Sequence, residues 1–326
     1  MTDVLSIENI RSASLGLSNE AFRTPLLESF TLNEKLGCRL LVKAETLQRT
    51  GSFKFRGAFN KISNIPKKQR KYGIVAFSSG NHAQGVAAAA KKFGINTKII
   101  MPKDAPKIKI ANTRAYGADI LFYDRSRDDR RSIGEKIVKK TGAVLVHPFD
   151  DPLVVAGQGT VGLEVAEQAQ ALNVTLDDFL APCGGGGLIS GCALALKTES
   201  PKTEIHSVEP VGFDYTARSL AAKKRIKGTH KGTSICDALL SLEPGKISHS
   251  LNAKLLKSCI TVTDEMVIEA MKVAFQYFKL VVEPGGAAAL AGVLSGQFKV
   301  YGRTLAVVLS GGNVDPGKYR KVLDID

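Results

Sequence analysis

Short apolar runs alternate with helical patterns along almost the whole chain, and this alternation restricts the fold more than any other feature. Strand-like runs occupy 39–43, 73–77, 98–101, 119–123, 144–147, 179–181, 204–208 and 304–309. Between them lie amphipathic or alanine-rich stretches such as "AQGVAAAAKKFG" at 83–94, "RRSIGEKIVKKTG" at 130–142 and "VGLEVAEQAQALN" at 161–173. Several end in Gly or Asn, as helix stops do. Strand and helix repeated at this spacing build α/β units with mainly parallel sheets flanked by helices. Ligands of such sheets sit in loops beyond the carboxyl ends of the strands. The runs between 73 and 147 suffice for a small doubly wound sheet, and the segments on either side supply a second. The expectation is a two-lobed chain, with a small α/β domain at 65–150 inserted into a large domain made of 1–64 and 151–326.

Composition narrows the partners. No apolar run among the 326 residues approaches the length needed to span a bilayer. The start, "MTDVLSIENIRSASLGLSNE", lacks the basic and apolar stretches of a signal peptide, so a cytoplasmic protein is expected. The five cysteines are scattered, with no CxxC pair and no zinc spacing. The formal charge of +14 raises nucleic acid as a partner. However, the lysines are thinly spread, tryptophan is absent, and no aromatic-basic interleaving occurs. A basic solvated surface without nucleic acid is the reading, and such a field also attracts anionic small molecules.

Four loops carry chemistry. "TGSFKFRGAFNKI" (50–62) places Lys54 between Phe53 and Phe55. Apolar walls desolvate an amine and make it a nucleophile, whereas a lysine needed only for solubility requires none. "FSSGNHAQG" (77–85) leads from a strand into a helix through Ser78, Ser79, Gly80, Asn81 and His82. Helix N–H groups and hydroxyls there suit a carboxylate, although a capping turn would use one of the same residues. "APCGGGGLISG" (181–191) joins a strand to an apolar helix through four glycines, a backbone nest for phosphate. "VVLSGGN" (307–313) delivers Ser310 at a strand end, where a hydroxyl can meet a ligand ring nitrogen. The glycine loop has a rival reading. Gly185, Gly187 and the following helix approximate GxGxxG, and Glu209 lies near the ribose-binding position. A nucleotide-dependent oxidoreductase stays open on that pattern, though Ser190 replaces the third glycine and Lys54 is left without a purpose.

An amine, a phosphate nest, a carboxylate loop and a strand-end serine together suggest a Schiff base with pyridoxal 5'-phosphate. With "SFKFRGA", "SSGNHAQG", "AGQGT" (156–160), "GGGGLISG", "EPGGAAALA" (283–291) and "SGGN" in this order, the chain resembles the serine/threonine dehydratase and serine racemase family. These are pyridoxal-phosphate enzymes of fold type II, the tryptophan-synthase β-like fold, and the resemblance covers nearly the whole chain. It implies that Lys54 carries the cofactor and removes the substrate α-proton, with Phe53 packing near the ring. Asn81 would meet the phenolic oxygen, Gly184, Gly185, Gly186, Gly187 and Leu188 the phosphate, and Ser310 the pyridine nitrogen. Ser78, Ser79, Gly80 and His82 would surround the substrate carboxylate. Ser79 also occupies the position that in racemases delivers a proton from the opposite face. A homodimer is implied as well.

Two departures bear on the chemistry. Metal-dependent members bind a divalent cation through a Glu, a carbonyl and an Asp. "VEPVGFDYTARS" offers Glu209 and Phe213 for magnesium or calcium, but Tyr215 replaces the second carboxylate, with Asp214 one residue earlier. "HPFDD" (147–151) places Phe149 where racemases carry a polar residue. Arg130 aligns with a position that recognises a second carboxylate in relatives, while also reading as a solvated helix start. The resulting expectation is a dehydratase (ammonia-lyase) of L-threonine or L-serine, with a serine racemase or 3-hydroxyaspartate dehydratase as the alternative on the same fold.

Overall fold

A computed structural model describes residues 5–228 and 232–324. Among these residues the strands are β1 (Leu26–Glu28), β2 (Arg39–Ala44), β3 (Ile74–Phe77), β4 (Thr97–Pro102), β5 (Asp119–Tyr123), β6 (Val144–Leu145), β7 (Asp178–Pro182), β8 (Glu204–Pro210), β9 (Ser258–Val262) and β10 (Thr304–Leu309). They form a six-stranded sheet in the order β1-β2-β10-β7-β8-β9 and a four-stranded sheet in the order β5-β4-β3-β6. Every pairing is parallel except β1 with β2. The mainly parallel reading therefore holds, and helices cover both sheets as it requires.

Both sheets reverse their strand order where ligands bind in α/β folds. In the smaller sheet β4 and β5 lie to one side of β3, and β6 lies to the other. In the larger sheet β7 stands between β8 and β10. The loops after β3, β6, β7 and β10 thus open toward one place. Two strands escape sequence reading. β1 has only three half-buried residues, and β9 is an edge strand with polar residues interspersed, so neither shows the apolar run of a central strand.

One helix departs from expectation in length. Pro152–Ala171 begins well before the periodic segment at 161–173. Asp151 caps it by accepting from the N–H groups of Leu153 and Val154, with Pro at its first turn. It is buried on nearly all sides, so its first half has no polar face for a periodicity argument to find. It crosses the helix Lys54–Ser63 at Gly157. A Cβ there would lie 2.6 Å from Gly57 Cα and 2.7 Å from the Arg56 carbonyl oxygen. No described helix is long and apolar enough to cross a membrane.

Candidate active site

A cleft of about 920 Å³, partly continuous with solvent, lies between the two sheets. Phe53, Lys54, Ser78, Ser79, Asn81, His82, Arg130, Gly184, Gly185, Gly186, Gly187, Leu188 and Ser310 all line it. Gly80 does not reach its surface. The space a side chain would take at Gly80 is filled by the methylenes of Lys109.

Lys54 opens the helix Lys54–Ser63. The preceding residues pair with the serine loop: Phe53 N–H donates to the Ser310 carbonyl at 3.1 Å, and Gly312 N–H to that of Gly51 at 2.9 Å. This pairing sets Lys54 and Ser310 side by side. The amine donates to the Pro148 carbonyl at 2.8 Å and stands 5.1 Å from the Phe53 ring centroid. Phe55 is no wall of the amine, contrary to the sandwich its position suggests. It packs with Ala58, Phe59 and Ile62 in a core shared with β3 and the helix Asn81–Lys92. Although part of the side chain is exposed, desolvation pulls the Lys54 pKa down to about 8. At pH 7 roughly one amine in ten is then neutral, against roughly one in three thousand at an ordinary lysine value. The rate at which the cofactor-free protein captures pyridoxal phosphate should therefore rise about tenfold per pH unit and level off near 8. Stopped-flow absorbance across pH 6–10 measures it, and a plateau only near 10 would remove the desolvation argument.

The glycine loop turns its carbonyls away from the cleft. Gly185 O accepts from Gly245 N–H at 3.0 Å, and Gly186 O from Ser190 N–H at 3.0 Å and Ser190 Oγ at 2.8 Å. Among the described residues, the N–H groups of Gly184, Gly185, Gly186, Gly187 and Leu188 have no acceptor within the protein. They sit at the amino end of the helix Gly187–Glu199, where the dipole adds to the donors. Gly186 has φ 91°, which a larger residue resists. A phosphate fits this cradle. Likewise, no side chain caps the helix Asn81–Lys92 after the Ser78–Gly80 turn, so its first N–H groups remain for a carboxylate. Ser78 does serve the turn, its Oγ accepting from the Gly80 N–H at 3.1 Å, so a turn role accounts for one residue of the run.

His82 and His147 are not cationic partners for a carboxylate. Burial pulls their pKa values to about 3 and about 4, and His82 shares its Nε2 with the Val146 carbonyl at 3.0 Å. Edge-on contacts of His147 with Phe77 and Phe149, at 5.3 and 4.8 Å between centroids, build the apolar wall of the cleft. Arg130 starts the helix Arg130–Thr141, capped by Asp129, and its guanidinium lies 5.5 Å over the Phe77 ring. It is a helix start that also faces the cleft.

Glu209 and Phe213 lie outside the cleft. The Glu209 oxygens accept from the Thr216 and Ala217 N–H groups, each at 2.9 Å, and so terminate the helix Tyr215–Ala221. Glu209 is fully buried, and burial raises its pKa to about 7. Asp214 pairs with Arg218 at 2.7 Å. One capped carboxylate and a carbonyl fall short of what a hard divalent cation takes, so this donor set does not fit a metal. The same burial denies Glu209 to a ribose, which overturns the nucleotide reading.

Sequence reasoning missed Lys109, Asp237, Pro148, and Leu239 to Ser241, all of which line the cleft. Lys109 in "KIKIANT" looks like any surface lysine of a basic chain, and the others carry no motif.

A family model described as pyridoxal-phosphate dependent enzyme matches residues 17–311. An L-threonine ammonia-lyase of Thermotoga maritima is 38% identical over 98% of this chain and 79% of its own length. An L-threo-3-hydroxyaspartate ammonia-lyase of a Pseudomonas species is 39% identical over 98% of both chains. The solved structure of maize serine racemase superposes with a TM-score of 0.91 at 36% identity, covering 98% of this chain and 97% of its own.

Proposed function

The chain belongs to the pyridoxal-phosphate dependent enzyme family, and from that premise we propose an ammonia-lyase that converts L-threonine or L-serine to a 2-oxo acid and ammonia by α,β-elimination. The observation that carries this reading is Lys54. Among the described residues its desolvated amine has no acidic partner, and it shares one cleft with the open N–H cradle and the uncapped helix end.

The bound cofactor supplies an electron sink for charge developing at the substrate α-carbon. Lys54 Nζ takes the α-proton as general base, which a pKa near 8 suits at neutral pH. Backbone N–H groups at the start of the Asn81 helix hold the α-carboxylate, since the neighbouring imidazoles stay neutral. Ser310 is too weak an acid to keep a ring nitrogen protonated, as an aspartate would. Charge at the α-carbon is then less stabilised, and loss of the β-hydroxyl competes well. Phe149 gives the wall no proton relay, which also favours elimination over inversion. A cytoplasmic homodimer completes the proposal.

A second reading rests on Arg130. Its place in the cleft suits the β-carboxylate of 3-hydroxyaspartate. Release of 2-oxo acid from L-threonine, L-serine and both 3-hydroxyaspartate diastereomers separates the readings. Threonine or serine should turn over fastest. Arg130→Ala should raise KM for hydroxyaspartate about tenfold to a hundredfold and leave threonine within about twofold. No release from any of them, with D/L interconversion of recovered serine, would replace the lyase by a racemase.

A further inference from the structure

Lys109, Asp237 and Glu283 form a charged group at the edge of the cleft, which Lys109 and Asp237 line, and the reaction above does not use it. Lys109 comes from the helix Lys107–Ala115, beside the smaller sheet, yet its partners belong to the larger one. Its Nζ lies 2.7 Å from Glu283 Oε2 and donates to Asp237 at 2.9 and 3.2 Å. Lys109 and Glu283 are each 1% exposed. Burial opposes the ammonium, but Glu283 and Asp237 outweigh it and hold the Lys109 pKa above the ordinary lysine value. Glu283 also accepts from Asn81 Nδ2 through Oε1. On the other side, Asn313 Nδ2 donates to Asn81 Oδ1 at 3.0 Å and to the Thr50 carbonyl at 2.8 Å. An amide whose oxygen meets a donor and whose nitrogen meets a carboxylate has one allowed orientation. Among the described residues one N–H of Asn81 is left over, and Asn81 lines the cleft.

We propose that Lys109 and Glu283 are positioning residues: Lys109 locks the Glu283 carboxylate, which with Asn313 holds the Asn81 amide so that its spare N–H points at the phenolic oxygen of the cofactor. Without this clamp the amide turns over and sets its own oxygen against an anionic one. The inference rests on the reading of Asn81 as that oxygen's partner.

The test is the absorption spectrum of bound pyridoxal phosphate and its dissociation constant, read by fluorescence titration of cofactor-free protein. Asn81→Ala sets the reference, with a shifted band and about tenfold weaker binding. Glu283→Gln and Lys109→Met should reproduce that band shift, and together should do no more than either alone, because they act through one amide. Asn313→Ala, on a surface loop, should shift the band in the same direction by less. Wild-type spectra and dissociation constants in Glu283→Gln and Lys109→Met, with only a lower melting temperature, would make the group purely structural and overturn the proposal. Should both fail to fold, an unshifted band in Asn313→Ala would overturn it. An unshifted band in Asn81→Ala would overturn it at an earlier step, by removing Asn81 from the cofactor.

Discussion

Replacing Lys54 with alanine is expected to cut turnover by about 10⁴-fold or more while the protein keeps its fold. On the proposed mechanism the amine both attaches the cofactor and takes the α-proton, so one substitution would remove two functions. Structurally it removes little. Among the described residues the Lys54 side chain makes one hydrogen bond, to the Pro148 carbonyl, and its loss costs about 1 kcal/mol. Single-turnover release of 2-oxo acid, read beside circular dichroism and the visible spectrum of added pyridoxal phosphate, checks all three points. Full activity in Lys54→Ala would refute the proposed mechanism.

Two residues along the same helix, the expected effect is on stability instead. Arg56 is 1% exposed and makes paired contacts to two carboxylates. It reaches Glu45 at 2.8 and 2.9 Å and Glu164 at 2.6 and 2.9 Å. Lys43, also fully buried, adds a 2.6 Å contact to Glu164, so two cations balance two anions. The group joins the Lys54 helix to β2 and to the helix Pro152–Ala171. Arg56→Met should destabilise the protein by about 3–5 kcal/mol, because it strands buried carboxylates without their partner. The midpoint of urea unfolding measures the loss. A cost under about 1 kcal/mol would mean that water or Lys43 replaces the guanidinium. In "SFKFRG" the lysine therefore reads as chemistry, and the arginine beside it as the anchor that holds the chemistry in place.

Much of the cleft was legible because its donors are backbone groups. A nest of N–H groups needs glycine, and glycines in a row between a strand and an apolar helix have few other uses. The same holds for Ser78 to Asn81, where a strand runs straight into a helix. "AGQGT" was recognisable as a pattern but had no physical reading in the sequence. Its reason is steric. Gly157 meets Gly57, and Gly159 and Gly162 meet Gly191 and Cys192 of the glycine-loop helix. One buried helix thereby fixes the distance between the amine and the glycine loop. Arg130 could be placed at a helix start from its neighbours, but whether it faced solvent or cleft depended on how the two sheets meet.

The sequence by itself determined the α/β alternation, the parallel sheets, the family and the residues whose chemistry needs a rare local pattern. Periodicity and glycine spacing encode those features within a few residues. Only the tertiary structure brings Lys109, Glu283, Asp237 and Asn313 together around Asn81 and shows the Glu209 oxygens already taken by backbone donors. Each depends on which charges are buried against each other across more than a hundred residues or on which backbone donors have already been used. A lysine, a glutamate and an asparagine carry no local sign that they will share one dry interface. Only packing removes the water that would otherwise make their contacts nearly worthless.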